Sequence, residues 1–311
     1  MNRIATLTLN PAIDMGTRTP RVVPEWKLRC QEPWREPGGG GINVSRATRK
    51  LGGSSATVYL AGGPTGDILE ELLREEGLDP RVVATKGWTR ENMHVFEEVS
   101  EQEYRFNMPG QVISVDELHS CLELIDNLEP APDYLVVSGS LPPGFPPASF
   151  ALLADEAERI GARLVADTSG EALRSVVEKG VYLIKPNLRE LRDLVGRELA
   201  DEVEQEEALQ RLVEEGACEV IVLSLGSAGA WVVSRDVSEH IRSPSVPIRS
   251  RIGAGDSMVA GLTLGLSRGL DLVSAVRFGV AAGAAAVMTE GTELCGREDT
   301  ERLYVQMGGS L

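Results

Sequence analysis

Short runs of aliphatic and β-branched residues alternate along the chain with segments in which apolar positions recur every three to four residues. The runs "IATLTL" (4–9), "TVYLA" (57–61), "DYLVVSG" (133–139), "ARLVADTS" (162–169), "VYLIKPN" (181–187) and "EVIVLSLG" (219–226) predict strands. They are nearly continuous in their hydrophobicity, as strands buried on both faces must be. Between them lie amphipathic helices. In "GDILEELLREEG" (66–77), Ile68, Leu69, Leu72 and Leu73 form one apolar stripe and the charges form the other. Such alternation predicts an α/β fold whose mostly parallel sheet carries helices on both faces. After residue 256 the pattern becomes two apolar helices rich in Gly and Ala, including "VAAGAAAVM" (280–288), suited to close packing on the sheet.

Two stretches break the alternation. Residues 15–37 and 88–109 are too polar and too often interrupted by proline for central strands, yet they alternate as an exposed antiparallel sheet would. They predict a small sheet projecting from the main body, serving as a lid, a dimer surface or both. Trp26, Trp34, Trp88, Phe96 and Phe106 in these stretches need cover, which a partner subunit would supply. A decorated surface loop is the plainer reading.

Composition narrows the chemistry. With 31 Lys and Arg against 47 Asp and Glu, the net charge of −16 disfavours broad binding to nucleic acid or anionic membranes. Cys30, Cys121, Cys218 and Cys295 are widely spaced with no C-x-x-C pair, so a disulfide framework and a zinc knuckle are both disfavoured. Three scattered histidines, His94, His119 and His240, make a histidine-ligated metal or a Ser-His-Asp triad improbable, and His94 reads as structural. "MNRIATLTLN" lacks the apolar region of a signal peptide, and no long uncharged apolar run suggests a membrane span, so the expected location is the cytoplasm. Neither G-x-x-x-x-G-K-[ST] nor a G-x-G-x-x-G after the first strand occurs, which disfavours P-loop and standard dinucleotide folds.

Two glycine-rich segments carry the chemistry. "PGGGGIN" (37–43) opens an amphipathic helix, and its bare backbone suits an anion or polar hydroxyls, although a ligand-free hinge would look the same. "LTLNPAID" (7–14) delivers Asp14 toward the same end of the sheet, unless it is a simple turn former. At "GAGDS" (253–257), Asp256 stands at a helix start. A carboxylate there stabilises the helix dipole by about 0.3–1 kcal/mol with no function required. The flanking Gly253 and Gly255 favour the other reading, a base beside amides cleared for a transferring phosphoryl group. Lys27, Arg29, Arg90 and Arg105 place four cations on the projecting stretches of an acidic protein, either as a clamp for an anionic substrate or as solvated surface charges.

Taken in order, "PGGGGINVSRATRKLGG" and "GAGDSMVAGLTLGL" resemble the two signature regions of the PfkB, or ribokinase-like, carbohydrate kinases. "TLTLNPAID", "EWKLRC", "GWTRENMHV", "EQEYRFNMPG", "SGSLPPG", "DTSGEAL", "KPNLREL", "SLGSAGA" and "GTELC" resemble the PfkB-type 6-phosphofructokinase branch, from residue 3 to about 305. The resemblance implies a single ribokinase-like three-layer α/β/α domain with a β lid formed by about 15–37 and 88–109. It implies ATP-dependent, Mg²⁺-requiring phosphorylation of fructose 6-phosphate at its 1-hydroxyl, in glycolysis. The rivals are a tagatose-6-phosphate kinase, a 1-phosphofructokinase, or an inactive sugar-phosphate sensor.

By the same resemblance, Asp256 is the catalytic base, and the amides of Gly253, Ala254 and Gly255 form the anion hole. Asp14, Gly39, Gly40 and Asn43 hold sugar hydroxyls, while Lys27, Arg90 and Ser140 match substrate-side positions and Arg105 is a weaker match. Lys185 and Asn187 lie at the nucleotide phosphates; Ser224, Gly226 and Gly229 line the nucleotide, with adenine near Ala282 and Gly283. Glu190 helps to hold Mg²⁺ through its water shell. The plainer reading of "KPN" is a strand-ending turn. The family often binds a monovalent cation such as K⁺, here through carbonyls around Ser250, Ile252, Ala286, Thr289 and Gly291. A homodimer through the lid, with some lid cations completing the neighbour's site, is the expected assembly.

Overall fold

The computed structural model describes residues 3–146, 149–291 and 293–310, so that Thr292 of the "GTELC" segment lies outside the described residues. A nine-stranded sheet forms the centre. Its strands are β1 (Ile4–Thr8), β4 (Ser55–Ala61), β5 (Asp79–Ala84), β8 (Tyr134–Ser138), β9 (Arg163–Asp167), β10 (Val181–Ile184), β11 (Cys218–Ser224), β12 (Ala230–Ser234) and β13 (Ser238–Ile241). They run in the order β13-β12-β11-β10-β9-β8-β1-β4-β5. Every neighbouring pair from β11 to β5 is parallel, and β12 and β13 close one edge antiparallel. All six strands predicted from the hydrophobic runs are present. β5, β12 and β13 were not anticipated, because β5 and β13 are edge strands with largely exposed residues and give no continuous apolar run.

One face of the sheet is covered by α3 (Val115–Asp126), α4 (Ser149–Arg159), α5 (Gly170–Lys179), α6 (Leu188–Val195) and α7 (Glu202–Glu214). The other carries α1 (Gly40–Lys50), α8 (Ala254–Ser267), α9 (Leu272–Ala286) and α10 (Arg297–Gln306). The Gly and Ala content of α8 and α9 permits backbone contact, since a Cβ on Gly279 would lie 2.7 Å from the Met258 carbonyl. The fold is thus three-layered, with helices on both faces of the large sheet, as the sequence predicts.

The two polar stretches form a second sheet of β2 (Ala12–Thr19), β3 (Trp34–Gly38), β6 (Arg90–Glu97) and β7 (Gln102–Phe106), ordered β3-β2-β6-β7. It begins at Ala12, and it is mixed rather than antiparallel: β2 and β6 pair in parallel from Ala12↔Arg90 to Thr19↔Glu97. The reason is connectivity. β2 continues from β1 and β6 follows β5, and both parent strands run the same way in the large sheet. A third small cluster, including Ile13, Ile42, Tyr59 and Leu69, packs this sheet onto α1 and onto α2 (Gly63–Glu75).

Candidate active site

The chain reverses its direction of travel across the large sheet at β1, with β4 on one side and β8 on the other. The carboxyl ends of strands at such a switch point leave a crevice. Here the start of α1 fills its edge. Gly39 caps α1 at φ 114°, a conformation open to glycine, and its carbonyl accepts from the Asn43 amide at 2.8 Å. A Cβ on Gly40 would lie 2.5 Å from Ser138 Oγ, so α1 approaches β8 at a distance that only glycine allows.

Asp14 rises from β2 beside this turn. Its Oδ1 accepts from Asn92 Nδ2 at 2.7 Å, and a Cβ on Gly38 would fall 2.2 Å from its Oδ2. Asn92 also accepts the Met108 amide through Oδ1 at 3.1 Å, tying Asp14 to the loop after β7. Ser140 Oγ accepts from Asn10 Nδ2 at 3.2 Å. Asp14, Gly39, Gly40, Asn43 and Ser140 therefore gather at one end of the sheet, as the sequence predicts.

Across the crevice, Gly253 caps α8 in the left-handed region at φ 70°. Asp256 occupies the first turn of that helix, and its Oδ2 accepts from Asn43 Nδ2 at 2.9 Å. The residue as a whole is half-buried. Burial, followed by the field of Asp167, pushes its pKa up from 3.8 to about 7, against the opposing pull of the Asn43 hydrogen bond and of Lys185. A carboxyl poised there exchanges protons readily at neutral pH.

Lys185 ends β10 and is 6% exposed. Its Nζ lies 3.0 Å from Asp167 Oδ1 at the end of β9. Burial works against its charge, yet Asp167 by contact, with Glu190 and Asp256 more remotely, outweighs that effect and leaves the ammonium titrating above the ordinary lysine range. A Cβ at Gly255 would sit 3.7 Å from the same Nζ, which places Lys185 directly beside the α8 amides.

Asn187 and Glu190 form a capping box on α6: Asn187 Oδ1 accepts the Glu190 amide at 3.0 Å, and Glu190 Oε2 accepts the Asn187 amide at 2.9 Å. Burial raises the Glu190 carboxyl above its ordinary value, with the cap bond opposing. The turn pairs with the next strand end, since Asn187 bridges Ser224 and the Ser224 amide donates to the Pro186 carbonyl at 2.9 Å. Gly226 and Gly229 then turn the chain at φ 58° and 100°.

Some expected residues lie elsewhere or are already engaged. Ala282 is fully buried, and a Cβ on Gly261 would come within 2.9 Å of its methyl; it fills the α8–α9 contact and has no surface for adenine. Gly283 does face the start of α8, 3.1 Å from the Ala254 carbonyl by the same measure. Arg105 pairs with Glu103 on its own strand at 2.6 Å, so it is not a free cation. Arg90 donates to the carbonyls of Asn10, Pro11 and Met108 at 2.9, 3.3 and 3.1 Å, bracing the junction of the two sheets. Lys27 and Arg29 are exposed and make no ion pair among the described residues. Around Ser250, its Oγ donates to the Gly291 carbonyl at 2.9 Å and accepts the Ile252 amide at 3.2 Å, while Thr289 Oγ1 donates to the Ala286 carbonyl at 2.8 Å.

Asp167, Asn92 and Asn10 were not assigned a role from the sequence. Asp167 stands at the carboxyl end of a parallel strand, a position that by itself marks a site residue in open α/β sheets. The two asparagines act through their neighbours and leave no motif. Among the described residues, no group of three or more His, Cys, Asp and Glu gathers as a protein-only metal site, and no helix is long and apolar enough to cross a membrane.

A carboxyl at a helix start, glycines beside it and a buried ammonium face the Gly39–Gly40 turn across one crevice, an arrangement suited to phosphoryl transfer. Residues 8–299 match the pfkB family carbohydrate kinases, and the chain belongs to that family. It is 44% identical over 308 residues to the ATP-dependent 6-phosphofructokinase isozyme 2 of Escherichia coli (strain K12), covering 99% of each chain. A crystal structure of Escherichia coli phosphofructokinase-2 with potassium superimposes at a TM-score of 0.94, with 44% identity and 99% and 100% coverage. Other structures of that enzyme contain fructose-6-phosphate (TM-score 0.92) or show a tetrameric inhibited form (0.93), each 43% identical and covering 99% of this chain and all of the other. The 1-phosphofructokinase of Bacillus subtilis (strain 168) is 33% identical over 292 residues, 93% of this chain and 95% of that one.

Proposed function

We infer that this chain is an ATP-dependent 6-phosphofructokinase that transfers the γ-phosphoryl group of ATP to the 1-hydroxyl of fructose 6-phosphate, giving fructose 1,6-bisphosphate and ADP. The observation that carries the reading is the carboxylate of Asp256 in the first turn of α8, directly after the glycine-cleared amides and within hydrogen-bond reach of Asn43. Identity to the Escherichia coli isozyme across the whole chain selects the substrate over that of the more distant 1-phosphofructokinase.

In this reading Asp14 and Asn43 hold the sugar hydroxyls, with the Gly39–Gly40 backbone against the ring. Asp256 accepts the proton of the 1-hydroxyl as its oxygen forms the bond to phosphorus. The bond from phosphorus to the leaving oxygen breaks, and its electron pair leaves with ADP. Little covalent work falls to the protein in such a loose transition state, so positioning and charge stabilisation dominate. The amides of Gly253, Ala254 and Gly255 and the ammonium of Lys185 stabilise the transferring group. Asn187, Ser224, Gly226, Gly229 and Gly283 frame the nucleotide.

Glu190 and Asp167 both bear on Lys185, a donor set that fits a magnesium ion carried on the nucleotide phosphates through its waters. Such an ion would neutralise phosphate charge. Potassium would sit at the loop carbonyls near Ser250 and Gly291. Cover for Trp26, Trp34 and Phe106 comes from a second copy of the chain, whose Lys27 completes the site for the sugar phosphate.

The test is ADP release with Mg-ATP against fructose 6-phosphate, tagatose 6-phosphate, fructose 1-phosphate, fructose and ribose, beside Asp256→Asn. Highest kcat/KM for fructose 6-phosphate, with the variant slower by about 10²–10⁴-fold, supports the reading. A preference for an unphosphorylated sugar overturns the substrate, and an active variant overturns the base.

A further inference from the structure

Arg46 lies one turn beyond Asn43 on α1 and is 3% exposed, rare for an arginine. Its guanidinium is fully spoken for. Nε and Nη2 grip Glu76 at the end of α2, at 2.9, 2.8 and 2.7 Å. Nη1 donates to the Pro37 carbonyl at 3.0 Å and, more weakly, to Asn43 Oδ1 at 3.4 Å, while Nη2 lies 3.5 Å from Glu36. Pro37 is where the small sheet hands the chain to α1, immediately before Gly38 against Asp14 and before Gly39.

A guanidinium only donates, and an ionised carboxylate only accepts. Asn43 stands between the two. With Oδ1 toward Arg46, its Nδ2 must face Asp256, as observed at 2.9 Å. Turned over, the amide would set its oxygen against the Asp256 carboxylate and its NH₂ against the guanidinium, two repulsive contacts in place of two hydrogen bonds.

We propose that Arg46, held by Glu76, is a positioning residue for the reaction: it fixes the Asn43 amide as a donor to Asp256 and ties that setting to the Pro37 carbonyl at the end of β3. The inference rests on Asp256 acting as the base. Losing the Asn43 donor removes a group that favours the ionised carboxylate, so the base becomes harder to deprotonate. A merely structural ion pair would have no such effect on proton transfer.

Arg46→Lys keeps the charge but lacks the fork needed to hold Glu76, Pro37 and Asn43 together. Glu76→Gln loosens the same fork from a less buried position. For both, kcat and the two KM values are measured across about pH 5.5 to 9, with Tm and Asp256→Asn alongside. We expect the acid limb of kcat to move up by about half a unit or more in Arg46→Lys, with kcat about two- to threefold lower at neutral pH and recovering at high pH. Glu76→Gln shifts the limb in the same direction by less, and KM for ATP stays within about twofold. A lowered Tm with an unmoved acid limb overturns the proposal. If Arg46→Lys does not fold, the acid limb of Glu76→Gln decides in the same way. An active Asp256→Asn sinks the base assignment and this inference with it. An inactive Asp256→Asn beside unmoved acid limbs in the other two sinks only the positioning role.

Discussion

Lys185 Nζ and Asp167 Oδ1 meet 3.0 Å apart at the ends of adjacent parallel strands, in the middle of the crevice and largely out of water. Neither residue can be removed alone without stranding the other. Breaking a buried pair by removing one partner costs about 3–5 kcal/mol, whereas removing both can be nearly neutral. Asp167→Asn should therefore lower Tm by several degrees or more, and Asp167→Asn with Lys185→Met should restore most of it. The two variants part on activity: the double variant stays inactive because the ammonium facing the α8 amides is gone. Because the Lys185 pKa is raised, its stabilisation is complete below the ordinary lysine value of 10.5 and is lost only as pH rises through the higher folded value. The ammonium's part of this pattern should thus hold at pH about 8 to 9, above the Asp256 titration and below that of Lys185. Equal Tm loss in the single and double variants would show that the pair is not the source of the cost.

Asp256 should destabilise the fold it serves. Its folded pKa is raised from 3.8 to about 7, so within that window the folded chain holds a proton that the unfolded chain has released. Stability attributable to this group then falls as pH rises through the window and levels off above it. Asp256→Asn removes the cost, on the order of a few kcal/mol at most. In scanning calorimetry the variant should melt a few degrees above the parent at pH about 8, with a smaller gap at pH about 5. A lower Tm for the variant at high pH would mean that the carboxylate is stabilised by its surroundings, contrary to its enclosure beside Asp167.

The sequence exposed those parts of this protein that leave a local imprint. The buried strands β1, β8, β9 and β11 are continuous apolar runs, and the glycines at 39, 40 and 253 stand where the backbone itself must be bare. Edge strands β5 and β13 left no such run because their side chains meet solvent. The parallel pairing of β2 with β6 follows from the direction of strands far away in the chain, which alternation within either stretch cannot reveal. In the site, Asp256 was legible from its glycines, while Asp167, Asn92 and Arg46 matter through partners 18, 78 and 30 positions distant, at Lys185, Asp14 and Glu76. Arg105 shows the opposite case: its charge is visible in the sequence, but its pairing with Glu103 is a matter of side-chain geometry.

The two glycines around the anion site should fail in different ways when given a methyl group. Gly253 is left-handed at φ 70°, and a Cβ there would meet Leu294 Cδ2 at 2.3 Å. Strain of about 1–2 kcal/mol from the backbone alone, before the clash, should lower Tm by several degrees in Gly253→Ala. Gly255 lies within α8, where alanine is the better helix former, and its Cβ would meet only Lys185 Nζ at 3.7 Å. Gly255→Ala should keep or raise Tm while kcat falls by about 10²-fold, because the methyl occupies space beside the amides that the transferring group needs. A fully active Gly255→Ala would move the anion site away from the start of α8.

The small sheet should be an interface between copies of the chain. Trp26 is 75% exposed and Phe106 48%, and Leu28 and Trp34 are also exposed, a grouping that an isolated soluble chain would seldom present. Lys27 stands among them with no partner carboxylate among the described residues. Sedimentation velocity should find the chain larger than a monomer, and Phe106→Glu should dissociate it with loss of activity. Lys27→Ala should keep the assembly but raise KM for fructose 6-phosphate by about tenfold or more, leaving KM for ATP unchanged, since a cation shared across the interface meets only the sugar phosphate. Mixing inactive Asp256→Asn with Lys27→Ala separates cis from trans. If Lys27 serves the neighbour, mixed dimers regain one site with wild-type KM; if it serves its own subunit, no mixture does. A fully active monomer would refute the shared site altogether.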